Sequence, residues 1–168
     1  RGNFIVCAVR GFRFQSSHEA KPVAEYFHRQ GFKAAVLDYY TNAEGALGDE
    51  ETQLKAAEGG LRTIRYLRCH AERLGIRPDK IAIGGFSAGG MLSNLAATRY
   101  DAGNPSDSDP AERVSSRPDA VLLFYGASTP ASANAVMLGY DAAAQKEKAA
   151  LSPEKNLKPD SPPYFLFQ

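Results

Sequence analysis

Residues 81–90 read Ile81-Ala82-Ile83-Gly84-Gly85-Phe86-Ser87-Ala88-Gly89-Gly90, an apolar run that leads into a Gly-x-Ser-x-Gly pentapeptide. An apolar helical pattern follows, so the order predicts a nucleophile elbow, the sharp strand-to-helix turn that presents a strained serine. Glycines suit such a turn because it leaves no room for side chains on either side of the serine. Ser87 is therefore the candidate nucleophile. The alternative is a glycine-rich turn whose serine only caps the next helix.

Strand-like apolar runs alternate with helical periodicity along the rest of the chain. This alternation predicts an α/β fold, a doubly wound parallel sheet of about five strands with helices on both faces. The predicted strands are Phe4–Val9, Ala34–Tyr39, the run at Ile81, Ala120–Tyr125 and a last strand that starts at Tyr164. We expect one domain over residues 1–168. Its ligand crevice should lie at the carboxyl ends of the strands, where Ser87 also lies.

Two predicted helices end alike, at a glycine followed by an apolar residue. The first ends at Gly31 and has Ser16 and Glu19 spaced as a capping box at its start. Its core-facing stripe is Ala20, Val23, Ala24 and Phe27. The second is long and ends at Gly75. Its apolar face is Leu61, Ile64, Leu67, Ala71 and Leu74.

Two segments follow the elbow helix. The polar stretch 101–118 predicts a long loop, and loops of that length often line sites. The alanine-rich stretch 131–150 predicts a further helix.

Composition restricts the partners of this chain. Its 20 Lys+Arg and 19 Asp+Glu give a formal net charge of +1, and no basic run indicates nucleic acid or an anionic membrane. No apolar stretch approaches the length of a membrane span. Cys7 and Cys69 are expected to be small buried groups rather than a disulfide, and no spacing indicates a metal site. We expect a small or uncharged partner.

Three segments resemble the bacterial α/β-hydrolases known as acetyl xylan or carbohydrate esterases. They are NFIVCAVRGFRFQSSHEAKPVAEYF, GLRTIRYLRCHAERLGIRPDKIAIGGFSAGGMLSNLAA and SSRPDAVLLFYG. The resemblance spans nearly the whole chain and is most specific from Ile76 to Gly90. It implies an α/β-hydrolase core and a serine esterase without a cofactor. The implied substrates are short acyl esters, often acetyl, of sugars or small alcohols.

Carried over by position, Ser87 matches the family nucleophile and the backbone N–H of Ala88 matches one oxyanion donor. The second donor lies in a Pro-Gly-Gly-Gly-aromatic loop in relatives. This chain reads Ala8-Val9-Arg10 there, so only Gly11 and Phe12 remain of that loop. Losing one such donor typically costs about 2.7–4 kcal/mol of transition-state stabilisation. Further pocket-lining candidates are Arg10, His18, Tyr39 and Tyr125, with core packing as the alternative for the tyrosines.

No histidine follows Ser87, although α/β-hydrolases place their acid and histidine after the serine. Each of the three histidines before it, His18, His28 and His70, lies in a segment whose pattern explains it without chemistry. The resemblance implies an acid and a histidine beyond Gln168 and two strands before Arg1. The 168 residues would then be the central part of a hydrolase or a truncated descendant. Without the histidine, kcat should fall by roughly a millionfold.

Three functions remain open from the sequence. The first is a serine ester hydrolase that needs residues outside this chain. The second is a non-catalytic hydrolase-like binding module, which the altered loop at Ala8-Val9-Arg10 favours. A peptidase of the prolyl-oligopeptidase type, which shares the elbow, is a remoter third. Whichever holds, strands 34–39 and 164–167 should form exposed sheet edges, so we expect association into a homo-oligomer.

Overall fold

The computed structural model of this protein describes residues 2–9, 18–42, 50–126 and 152–167. The predicted helix over 131–150 lies outside these ranges. Outside them too are three residues named as site candidates, Arg10, Gly11 and Phe12.

The described residues form one parallel sheet with helices packed on it. In chain order the elements are β1 (Asn3–Val9), α1 (Lys21–Arg29), β2 (Lys33–Val36), α2 (Glu50–Cys69), α3 (Ala71–Leu74), β3 (Ile81–Ser87), α4 (Ala88–Arg99), β4 (Ala120–Phe124) and β5 (Tyr164–Phe167). The strands lie in the order β2-β1-β3-β4-β5, and every neighbouring pair is parallel. The predicted α/β fold with five parallel strands is confirmed.

The two faces of the sheet are covered by different helices. Ile5 and Ile83 belong to the apolar cluster that also holds residues of α2 and α4. Phe4, whose side chain alternates with that of Ile5, packs instead on Phe27 of α1 with ring centroids 4.4 Å apart. Helix α4 is buried along residues 88–98, because it lies between the sheet and α2.

The edges of the sheet are β2 and β5, as predicted. In β5 the side chains of Phe165, Leu166 and Phe167 are exposed. Exposed edge strands carry unpaired backbone groups that can pair with another chain. Association through these edges stays a prediction.

The helix ends at Gly31 and Gly75 are confirmed. Their φ angles are 84° and 59°, a left-handed conformation that glycine adopts without a Cβ clash. The amide of the following apolar residue turns back in each case, from Phe32 to the Phe27 carbonyl and from Ile76 to the Ala71 carbonyl. The predicted long helix, however, is interrupted at His70, which separates α2 from α3.

The predicted capping box of Ser16 and Glu19 is wrong. Helix α1 begins at Lys21, after both residues, and Ala20 at its N-cap makes no side-chain cap hydrogen bond. The Glu19 carboxylate has another partner, because it accepts a hydrogen bond from the Tyr125 hydroxyl at 2.6 Å.

Arginines of α2 hold the loop between α4 and β4. Arg65, whose side chain is only 8% exposed, pairs with Asp101 and lies 3.1 Å from Glu112. Arg68 donates to the Arg117 carbonyl at 2.9 Å and to the Asp119 carboxylate at 3.0 Å. The loop therefore packs on α2. It lies at the amino ends of the strands, where β4 starts, whereas Ser87 lies at the carboxyl end of β3. The expectation that this loop lines the site is therefore wrong.

We expect Arg65→Ala to lower the free energy of unfolding by about 2–3 kcal/mol, because it removes a buried guanidinium that pairs with Asp101 and lies 3.1 Å from Glu112. Urea unfolding followed by circular dichroism measures this. Arg77→Ala is the control, since the Arg77–Asp79 pair is more than half exposed on both sides. Equal midpoints for the two variants would contradict a stabilising role for Arg65.

Candidate active site

Ser87 has the backbone geometry of a strained elbow. It is the last residue of β3, and α4 begins at the next residue, Ala88. Its φ and ψ angles are 52° and −117°. A positive φ at a non-glycine residue costs on the order of 1–3 kcal/mol and persists only where the surrounding structure enforces it. Ser87 makes no side-chain cap hydrogen bond, so the alternative in which it serves as a helix cap is wrong.

The glycines around Ser87 let two backbones come close. A Cβ atom at Gly85 would lie 2.1 Å from the carbonyl oxygen of Cys7, and one at Gly89 would lie 1.9 Å from the same oxygen. A Cβ at Gly90 would lie 3.1 Å from the Cα of Gly126. The predicted absence of room for side chains is therefore confirmed, and its cause is the backbone of β1.

We predict that Gly89→Ala lowers the free energy of unfolding by about 3 kcal/mol, because the carbonyl of Cys7 belongs to a central strand and cannot move aside. Gly59→Ala is the matched control within helix α2. Its new Cβ would have Tyr39 Cβ as its nearest neighbour, at 3.9 Å. There the better helix propensity of alanine should stabilise the protein by about 0.5–1 kcal/mol. Chemical denaturation of both variants tests the pair, and a Gly89 variant as stable as the Gly59 variant would refute the close approach.

Cys7 lies beneath the elbow and is fully buried. Burial raises the pKa of its thiol from 9.0 to about 12, although a hydrogen bond with Ser93 acts in the opposite direction. Cys7 and Cys69 are both free, as predicted. The Cys7 thiol is thus an uncharged packing group at any physiological pH.

Iodoacetamide at pH 8 should leave Cys7 unmodified in the folded protein and modify the half-buried Cys69, as read by peptide mass spectrometry. In urea both should react. Because the thiol ionises near 9.0 when unfolded and near 12 when folded, its contribution to stability is complete below pH 9 and declines as the pH rises toward 12. Modification of Cys7 at the rate of Cys69 in the native state would contradict this burial.

Tyr125 and Glu19 meet at the carboxyl edge of the sheet, close to the elbow. Tyr125 directly follows β4, and its ring centroid lies 5.7 Å from that of Phe86, the residue before Ser87. Its hydroxyl reaches Glu19, 106 residues away in the chain. The sequence named Tyr125 as a candidate but did not indicate this partner.

The other candidates differ in burial. His18 is exposed in the turn before α1. Tyr39 is only 5% exposed and belongs to the apolar core, and burial raises the pKa of its hydroxyl, with Cys7 and Glu19 adding to the shift. This burial fits the core alternative for Tyr39, and a place in the pocket stays a prediction. His28 is exposed in α1, and His70 packs on the Tyr66 ring with centroids 4.5 Å apart.

Four of the described aspartates that follow Ser87 have structural partners away from it. Asp101 pairs with Arg65 and Asp119 with Arg68, while Asp109 accepts from the Ala111 amide and pairs with Arg62. Asp160 accepts from the Tyr100 hydroxyl at 2.7 Å.

Among the residues that the structure describes, no group of three His, Cys, Asp or Glu side chains could hold a metal ion. No described helix is long and apolar enough to cross a membrane.

A protein-family model described as BD-FAE matches residues 10–168. This chain belongs to the BD-FAE family. It is 30% identical over 173 residues to endo-1,4-beta-xylanase B of Butyrivibrio fibrisolvens, an alignment that covers 100% of this chain and 26% of that protein.

The fold of the BD-FAE chain matches that of α/β-hydrolase esterases in solved structures. It matches the acetyl ester-xyloside bifunctional hydrolase of Caldicellulosiruptor lactoaceticus with a TM-score of 0.80 and 28% identity, over 98% of this chain and 60% of that one. It matches esterase 2 of Thermogutta terrifontis with a TM-score of 0.73 over 100% of this chain and 60% of that one. At 24% identity, the second match shows the fold alone. The chain therefore spans 60% of these two structures and about a quarter of the xylanase.

Proposed function

We propose that this BD-FAE chain supplies the nucleophile of a serine carboxylic-ester hydrolase. Ser87 would attack the ester, and the substrate would be a short acyl ester, of the acetyl type, of a carbohydrate or small alcohol. The acid and the histidine of the triad would come from outside the 168 residues. The observation that carries the proposal is the strained backbone of Ser87, at a strand-to-helix turn where the side chain makes no capping hydrogen bond.

Strain of this kind supports a chemical role because it is costly and because strained residues cluster at functional sites. A serine in an ordinary helix cap has an extended backbone and an oxygen that accepts from the first turn. Ser87 has neither feature. Ser87 instead lies at the carboxyl end of β3, and open parallel sheets bind their ligands at the carboxyl ends of their strands.

The proposed reaction has two steps. In the first, Ser87 Oγ attacks the carbonyl carbon while a histidine takes its proton, and the C–O bond to the alcohol breaks as the alcohol receives that proton. In the second, water attacks the acyl-enzyme, which releases the carboxylic acid and restores the serine. The Ala88 amide would donate to the oxyanion, because it is the first residue of α4 and its N–H has no acceptor within the helix. Gly11 and Phe12 would lie at the second donor position.

The substrate class rests on the relatives. One is an endo-1,4-beta-xylanase and another an acetyl ester-xyloside bifunctional hydrolase, so both names concern xylan or xylosides. Arg10, His18, Tyr39 and Tyr125 would line the pocket. No step of this chemistry requires a cofactor.

The test is covalent labelling of the full-length protein with a fluorophosphonate, followed by intact mass spectrometry and by an assay on 4-nitrophenyl acetate and acetylated xylo-oligosaccharides. We expect one adduct and acetate release in the native protein. In Ser87→Ala the adduct should disappear and turnover should fall by roughly a millionfold.

A protein that neither reacts with the probe nor releases acetate would overturn the proposal. The non-catalytic binding module would then lead, a reading that the Ala8-Val9-Arg10 sequence favours because it replaces the glycines of the oxyanion loop. Binding of xylo-oligosaccharides without hydrolysis, measured by calorimetry, would support that module.

A further inference from the structure

Among the described residues, two that are not glycine have a positive φ, and they lie at the ends of neighbouring strands. Ser87 has a φ of 52° and Tyr125 a φ of 39°. Their strands are parallel neighbours in which Phe86 is paired with Phe124, so each strained residue directly follows a member of the same pair. The two backbones therefore leave the extended conformation at the same level, at Ser87 and at Tyr125.

The bend at Tyr125 brings the next residue against the elbow. A Cβ at Gly126 would lie 3.2 Å from the Cα of Gly90 and 3.4 Å from the carbonyl oxygen of Ser87. The backbone after β4 thus packs on the first turn of α4 and on the candidate nucleophile itself. Movement of Tyr125 would move this support.

Contacts with Phe167, Phe86 and Glu19 help to hold Tyr125 in its strained conformation. Its amide donates to the Phe167 carbonyl at 2.8 Å, its ring packs on Phe86, and its hydroxyl donates to Glu19 Oε1 at 2.6 Å. The first two contacts come from the sheet. The third contact joins Tyr125 to the segment that precedes α1.

Glu19 is an unusual partner for a purely structural bond. Its second oxygen, Oε2, is buried and has no hydrogen-bond partner among the described residues. A buried carboxylate oxygen without a partner is costly, and such groups in native proteins are often found where function requires them.

We propose that Tyr125 is a positioning residue for Ser87 and that its hydrogen bond to Glu19 maintains the position. The inference rests on the proposed ester hydrolysis. The pair would act through Ser87 rather than on the reacting atoms, so its effect would be on how well Ser87 is placed for attack. A small misplacement of a nucleophile lowers the rate of the chemical step more than it lowers substrate binding.

The experiment measures kcat and KM of the full-length protein on 4-nitrophenyl acetate. Tyr125→Phe and Glu19→Ala should each lower kcat by about 10- to 100-fold with KM within about twofold. Because both variants remove the same bond, the double variant should lose no more than either single variant. Glu19→Gln keeps an oxygen acceptor for the Tyr125 hydroxyl and should retain most of the kcat.

Tyr100→Phe is the matched control. It also removes a tyrosine-to-carboxylate hydrogen bond, to Asp160 at 2.7 Å, but at the carboxyl end of α4, far from the Ser87 end of that helix. It should leave kcat unchanged, with a loss in melting temperature similar to that of Tyr125→Phe. A Tyr125→Phe kcat equal to that of Tyr100→Phe, a loss confined to KM, or additive losses in the double variant would each overturn the inference. If the native protein hydrolyses no ester, the proposed function fails and this inference fails with it.

Discussion

The backbone of β1 and the elbow lie in direct contact, and the other features of the site depend on this contact. The carbonyl of Cys7 fills the space that a Cβ would need at Gly85 and at Gly89. β3 and the first turn of α4 are therefore fixed against one peptide group. The register that pairs Val9 with Ser87 brings the end of β1 to the level of the serine. Strain at Ser87 is sustained because neither β3 nor α4 has room to relax.

At the amino ends of the strands, charged side chains add to the backbone hydrogen bonds that hold the sheet. Arginines of α2 bind carboxylates and carbonyls of the loop between α4 and β4, and Asp119 also accepts from the amide of Ile81 at 2.8 Å. This network fixes where β3 and β4 begin. The candidate site lies where they end. The residues that hold the amino ends of the strands are thus different from those of the candidate site at the carboxyl ends.

The sequence was informative wherever a structure depends on neighbouring residues. The strand-to-helix turn at Ser87, the helix ends at Gly31 and Gly75 and the alternation of strands and helices all follow from local patterns, and all are confirmed. The capping box at Glu19 failed because a local pattern competed with a distant partner. Tyr125 is 106 residues from Glu19, and no spacing along the chain records that bond. The position of the 101–118 loop was also missed, although the predicted topology implies it, because a loop that follows a helix and leads into a parallel strand lies at the amino ends of the strands.

The elbow has a further consequence for the order of folding. The two strands that meet at the elbow, β1 and β3, are distant in sequence. Asn3 of β1 pairs with Ile81 of β3, and α1, β2, α2 and α3 lie between them in the chain. Contacts between residues so far apart form late, because the entropy of closing the loop is lost before the contact is gained. The helices can form early from local contacts. The strained turn at Ser87 can form only after β1 has docked beside β3, so chains that have formed their helices but not this pairing would lack it.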